Sequence, residues 1–249
     1  MLTFKKLVAE FALPTFYLRK KRLLDSQPRL RTWVIIGPME SGKTTFVKTV
    51  LYWQNRALEK HGISYRNVQF FDVRSVLKGL VTNWKATVLN IFVDDAVFLV
   101  DSRAAMTKEN QLLTQVYFYI RHYVEHYSRQ TRLINVFWSA QSPTSIDKRV
   151  RDTATVVVLK GMVRGGEEAL RNYFPGYVLR RMALVQVLST IDDRYKSYAA
   201  VSLQKSYARI IRYDPEPRVE FEEYGERPES KLAKLFKAKG RADGGSEEE

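Results

Sequence analysis

The chain has 249 residues, 45% of them hydrophobic, with 41 Lys or Arg against 27 Asp or Glu and a net charge of +14. That apolar content is enough for a full core and excludes a disordered chain. The absence of cysteine excludes disulfides and thiolate metal sites, and the apolar runs are strand-sized, well short of the ~20 residues of a membrane-spanning helix.

The excess positive charge favours a polyanionic partner, nucleic acid first and an anionic membrane surface second. A solvated, charge-rich surface is the plainer alternative. His122 and His126 are four apart, but there is no HExxH pattern and no acidic partner at ligand spacing, so no zinc site is expected.

In chain order, "MLTFKKLVAEFALPTFYLRKKR" loosely resembles a signal peptide, yet Glu10 interrupts its apolar stretch and a basic cluster follows. No small-residue cleavage site is evident. Residues 1–31 therefore read as a basic N-terminal arm, amphipathic if helical, with contact to a membrane surface as the lesser alternative. "TWVIIG" (32–37) predicts a buried strand and "TTFVKTVLYWQNRALEKHG" (44–62) a helix stopped near Gly62. "NVQFFDV" (67–73) and part of "TVLNIFVDDAVFLV" (87–100) predict two more strands. "NQLLTQVYFYIRHYVEHYS" (110–128) has helical length and spacing. "RLINVFWSA" (132–140) and "ATVVVLK" (154–160) complete five strands, and their alternation with helices predicts a parallel sheet. Then follow a basic, aromatic connection (161–190) and a β-rich end (191–224). In that end, "DRYKSYAAVSLQKSYARIIRYDP" (193–215) alternates with period two about Gln204-Lys205, as a β-hairpin does. The core and these extensions form one domain over 32–225. The polar stretch 226–249, ending "KAKGRADGGSEEE", reads as a disordered tail.

Gly37, Gly42, Lys43 and Thr44 match G-x-x-x-x-G-K-[ST], between a strand and a helix as the motif requires. Gly37 permits the turn off the strand, and Gly42 lets backbone approach phosphate. The loop formed by Gly37, Pro38, Met39, Glu40, Ser41, Gly42, Lys43, Thr44 and Thr45 is the candidate nucleotide cradle, its N–H groups and the helix N-terminus favouring an anion. Lys43 is expected to reach the β- and γ-phosphates, Thr44 to ligate Mg²⁺ and Thr45 to approach the α-phosphate. Glu40 is unusual in bringing a negative charge into the loop, and no specific role is assigned to it. ATP and Mg²⁺ are the cofactors this pattern calls for.

A metal-holding carboxylate belongs at the end of a neighbouring buried strand, and "NIFVDDAVF" supplies Asp94 for the metal and Asp95 for the attacking water. "INVFWSAQSP" ends in Ser139 and Gln141. If that strand lies between the other two, the Gln141 amide faces the γ-phosphate. Arg149 and Arg151, in "SIDKRVRDTA", suit a finger reaching a neighbouring subunit's nucleotide, binding to DNA phosphates, or plain solvation. Arg103 and Arg121 are weaker finger candidates.

With these motifs in order, the core resembles P-loop ATPases of the additional-strand type. More narrowly it resembles the FtsK–HerA superfamily, which includes viral genome-packaging ATPases, conjugation ATPases and Zot-like phage proteins. The narrower likeness rests on Gln141, Pro143, Asp147 and Arg151 in "WSAQSPTSIDKRVRDTATVVVLK" and on the hairpin after strand five. The resemblance spans about 30–225. One departure is Asp95 where a glutamate is common. The resemblance implies a DNA translocase working as a homo-oligomeric ring, typically a hexamer, with nucleotide between subunits and double-stranded DNA in the channel. It further implies a viral or plasmid protein of the host cytoplasm, with association to a capsid or a membrane. Arg164, Arg171, Arg180 and Arg181, interleaved with Tyr173, Phe174 and Tyr177, are candidate DNA contacts. The alternative for this stretch is a helix packed on the sheet with a solvated basic face. Three other readings stay open: a nucleotide kinase, an AAA+-like replication initiator, and a nucleotide-gated DNA-binding protein without turnover.

Overall fold

The computed structural model describes residues 4–7, 12, 29–71, 73–94, 119–146, 148–162, 165–203, 207–216 and 218–225. Asp95, Arg103, Asp147, Arg164 and the tail 226–249 lie outside the described residues, as do most of the arm and the first part of the 110–128 helix.

Strand β1 (Arg29–Ile36) is buried from Thr32 onward. It starts three residues before the expected arm boundary, because its half-exposed N-terminal end tolerates Arg29 and Arg31. Next come α1 (Lys43–Lys60), β2 (Tyr65–Phe70), α2 (Val73–Leu80) and β3 (Val88–Val93). Helical residues 119–127 (α3) lead to β4 (Leu133–Ala140), α4 (Lys148–Asp152) and β5 (Val156–Leu159). The end comprises α5 (Glu167–Arg171), α6 (Gly176–Ser189), β6 (Tyr198–Leu203), β7 (Tyr207–Arg212) and β8 (Glu222–Tyr224).

The eight strands form one sheet in the order β7-β6-β5-β1-β4-β3-β2-β8. Strands β1 to β5 pair in parallel, as the alternation of strands and helices requires. The expected hairpin is present as β6, antiparallel to β5, and β7, antiparallel to β6. It begins at Tyr198 rather than 193, because Asp192 caps a 3₁₀ turn over Asp193–Ser197 by accepting from the Arg194 N–H at 2.9 Å.

Side chains alternate across the sheet with period two. Val34, Ile36, Val136 and Trp138 face one cluster with Ile120, Val124, Phe174, Val178 and Met182. Trp33, Ile35, Phe137 and Val158 face the other with Phe46, Val47, Val50 and Leu51 of α1. Helices therefore cover both faces. Helix α1 ends where expected: Gly62 takes a φ of 60°, its N–H donates to Glu59, and the Ile63 N–H donates to Leu58. That pair of bonds satisfies the last carbonyls. The described arm residues Phe4, Leu7 and Ala12 are buried against α1, and Gln54 Nε2 donates to the Ala12 carbonyl at 2.7 Å.

Register carries a polar marker. Asn67, Asn90 and Asn135 stand level on β2, β3 and β4. Asn135 Nδ2 donates to Asn90 Oδ1 and Asn90 Nδ2 to Asn67 Oδ1, both at 2.8 Å. A one-residue slip of any strand moves its asparagine to the opposite face. Asn90→Ala strands the polar groups of two buried neighbours, so urea unfolding should show a loss of about 2–4 kcal/mol.

Candidate functional site

Strand β4 lies between β1 and β3, which meets the condition on which Gln141 depends. The Gly37 N–H donates to the Ala140 carbonyl at 3.1 Å, and the Lys160 N–H donates to Ile36 at 2.7 Å. The loop after β1 thus leaves the sheet fixed on both sides. Gly37 has no room for a side chain: a Cβ there would meet Ser41 Oγ at 2.6 Å and Lys160 Cβ at 2.9 Å. Gly42 has a φ of 83° and opens α1 in the left-handed region that glycine adopts without strain. Glu40 also has a positive φ, 57°, which costs a side-chain-bearing residue roughly 1 kcal/mol. It is exposed, as is Met39.

Lys43 folds back over the loop, its Nζ donating to the carbonyls of Gly37 at 2.9 Å and Pro38 at 2.8 Å. Thr44 Oγ1 donates to Asp94 Oδ2 at 3.1 Å. Ser139 Oγ donates to Asp94 Oδ1 at 2.5 Å. One carboxylate, at the end of β3, is held from α1 on one side and from β4 on the other. Thr44 and Asp94 together are hard oxygen donors of the kind Mg²⁺ takes, since that ion binds through one or two protein oxygens and keeps its remaining positions for water and phosphate.

Gln141 is half-buried just beyond β4. Ser142 Oγ then accepts from the Thr144 N–H at 3.3 Å and caps a 3₁₀ turn over Pro143–Ser145. The Arg151 guanidinium donates to the Pro143 carbonyl, joining α4 to this turn. Arg149 is on α4, whose residue 150 is buried against the core. Arg171, Arg180 and Arg181 are exposed, as are Arg121 and Tyr177. Tyr173 and Phe174 fit the alternative reading of their stretch, a helix packed on the sheet. They are buried in the core, and the Tyr173 hydroxyl donates to Asp152. They sit where α5 turns into α6, and this turn needs apolar filling, so neither ring is available to stack on bases.

Two residues of the site were given no part from sequence. Ser139 was legible only as a polar residue ending a buried strand. Lys160 directly follows an apolar strand, a position that buries it. Its Nζ donates to the carbonyls of Lys196 and Tyr198, the latter at 2.8 Å, and to the Tyr213 hydroxyl at 2.7 Å. Burial pushes this lysine from its ordinary 10.5 down to about 7. Burial also raises the Tyr213 phenol, so it stays protonated and can turn donor when the amine is neutral. The residues after β5 press on the loop from the same side. A Cβ on Gly161 would lie 2.9 Å from Pro38 Cδ, and Gln186 Oε1 accepts from the Met162 N–H at 2.5 Å.

Strand order, phosphate loop and the inserted β4 define a P-loop NTPase fold of the additional-strand type. No protein-family model matches the chain, and no curated protein matches it. It is similar to the solved genome-packaging NTPase B204 of Sulfolobus turreted icosahedral virus 2 in complex with ATP-gammaS, at 11% identity and a TM-score of 0.48, covering 76% of this chain and 98% of that one. It is similar to the N-terminal domain of zonular occludens toxin from Neisseria meningitidis, at 12% identity and a TM-score of 0.41, covering 75% of this chain and 95% of that one. It is also similar to the pCW3 conjugation coupling protein TcpA, at 13% identity and a TM-score of 0.40, covering 76% of this chain and 60% of that one. Among the described residues no helix is long and apolar enough to cross a membrane.

The buried lysine sets a pH dependence. Between about 7 and 10.5 the unfolded chain carries a proton on Lys160 that the folded chain does not. Folding stability attributable to this group therefore rises with pH across that window, by up to ~1.4 kcal/mol per unit, and is lost as pH falls towards 7. Urea midpoints for the wild type and Lys160→Met, compared from pH 7 to 9, should show the wild type gaining on the variant.

Proposed function

We propose that this chain hydrolyses Mg-ATP to drive DNA through an oligomeric ring, as genome-packaging ATPases do. The observation that carries the hydrolytic half is the Asp94 carboxylate held between Thr44 and Ser139, at the mouth of a complete phosphate loop. The DNA half rests on the +14 charge and the exposed Arg171, Arg180 and Arg181, with Arg164 added from sequence.

In this reading the N–H groups of residues 39–45 cradle the phosphates. Lys43 leaves the Gly37 and Pro38 carbonyls for the β- and γ-oxygens. Thr44 and Asp94 hold Mg²⁺, which neutralises charge on those oxygens. Water attacks the γ-phosphorus and the bond to the β–γ bridging oxygen breaks, Asp95 taking the water's proton. Gln141 orients that water and reports loss of the γ-phosphate. An arginine from a neighbouring subunit stabilises the charge that develops. The tie of Arg151 to Pro143 favours Arg149 for that finger and gives Arg151 the task of holding the Gln141 turn. The working domain is 32–225 together with the first residues of β1 from Arg29, and the site of action is the host cytoplasm, with a capsid or a membrane as docking partner.

The test is ATP hydrolysis with and without double-stranded DNA, run beside Lys43→Ala and Asp94→Asn and with native mass measured in ATP. Turnover should rise with DNA, and each variant should lose about 100-fold or more, as expected for removal of a group that stabilises transition-state charge. DNA binding should weaken steeply between 50 and 200 mM salt, by ~10³ or more if six phosphates are contacted. Equal, DNA-insensitive turnover in wild type and Lys43→Ala would sink the reading. Tight ATP binding with negligible turnover would favour the nucleotide-gated binding protein.

A further inference from the structure

Lys160 is buried, and none of its hydrogen-bond partners is a carboxylate. A buried ammonium without a counter-ion is costly, and a leucine or methionine would fill the same space. What distinguishes the position is what it joins. The backbone N–H of Lys160 is bonded to Ile36, next to the first glycine of the phosphate loop. Its stem then runs beneath the loop: a Cβ on Gly37 would lie 2.9 Å from Lys160 Cβ, and one on Gly42 would lie 3.6 Å from Cε and 3.8 Å from Nζ. The side chain therefore lies beside both glycines that bound the phosphate cradle.

The ammonium end is tied to the C-terminal hairpin at both its feet. Lys196 and Tyr198 stand where the chain enters β6, and Tyr213 is the first residue after β7. The Tyr213 N–H donates to the Ser197 carbonyl at 3.0 Å, closing those feet on each other. The Tyr213 ring also meets Phe46, in the first turns of α1, edge-on at 5.3 Å, and stacks on Phe4 at 5.2 Å. Among the charged groups nearby, the Lys196 side chain is paired with Asp193 at 2.9 Å and points to solvent.

We propose that Lys160 is a positioning residue that couples occupancy of the phosphate loop to the β6–β7 hairpin. The inference rests on the loop binding a nucleoside triphosphate. An anion in the loop favours the charged form of a cation lying directly beneath it. The charged form donates three charge-assisted hydrogen bonds, whereas the neutral amine donates two and accepts one from Tyr213, all of them weaker. Phosphate in the loop thus tightens the grip on both feet of the hairpin, and its departure relaxes it. The hairpin is the element that reports which nucleotide is bound.

The experiment is hydrogen exchange on the full chain, with and without Mg²⁺ and ATP-gammaS. In the wild type, exchange should slow in the loop and α1 and also in residues 198–203 and 207–212. In Lys160→Met the loop and α1 should remain protected while the hairpin's response falls about fivefold or more, the lower range of coupling between sites. Tyr213→Phe keeps the ring contacts and removes one acceptor, so it should lose part of the hairpin response. It also serves as the deciding variant if Lys160→Met does not fold. A hairpin response equal to the wild type's in the deciding variant overturns the inference and leaves nucleotide binding intact. Absence of protection in the wild-type loop overturns the nucleotide reading, and the inference falls with it.

Discussion

Two backbone hydrogen bonds fix everything built at the end of β1. The Gly37 N–H is held by Ala140 of β4 and the Ile36 carbonyl by the Lys160 N–H beyond β5. A parallel strand with neighbours on both sides cannot shift along its axis without breaking both ladders. The loop therefore starts from a point set to within a hydrogen bond, and the geometry downstream follows. Gly42 opens α1 at a fixed place, Thr44 falls beside Asp94, and Lys160 falls beneath the loop. The asparagine row on β2, β3 and β4 guards the same register at the other end of the strands. There a slip would cost buried hydrogen bonds as well as apolar contacts.

Hydroxyl, carbonyl and phenol groups surround the charges near the loop. Asp94 is held by two hydroxyls, Lys43 by two carbonyls, and Lys160 by two carbonyls and a phenol. Neutral partners stabilise an ion less than an opposite charge does, so the Lys160 amine keeps a residual attraction for an anion. Ion pairs are found on the surface, as between Arg66 and Glu222 at 2.6 Å, where screening leaves them worth little.

What could be read from sequence was what is local. The phosphate loop, the apolar strands and the hairpin each announce themselves within a dozen residues, and the Gly62 stop is a local backbone requirement. Helix α2 is absent from the expected elements because eight residues are a short sample of a 3.6 period and Gly79 lowers helix propensity. That glycine is explained only by tertiary structure: a Cβ would lie 2.2 Å from Phe70 Cζ. Ser139, Lys160 and the burial of Tyr173 and Phe174 are likewise consequences of distant segments meeting. Strand β8 is three residues of Glu-Glu-Tyr, with no apolar pattern to betray it. It is held because Tyr224 packs against Phe70 and Trp84, at 5.5 and 5.7 Å between ring centroids.

The path of the C-terminal segment also bears on which NTPase this is. A kinase or an AAA+ protein would follow β5 with a helical lid that closes over the nucleotide. Here α5 and α6 are succeeded by β6 and β7, which extend the sheet beyond β5 as an antiparallel hairpin. The chain then crosses α1, where the Glu216 N–H donates to Thr49 Oγ1 at 2.9 Å and Phe221 meets Phe92 at 5.4 Å. It finishes as β8 beside β2, at the far edge of the sheet. A segment bonded to the sheet at both edges and to α1 between them cannot swing as a lid does. The hairpin, footed on Lys160 and Tyr213, meets the phosphate loop through packed elements instead.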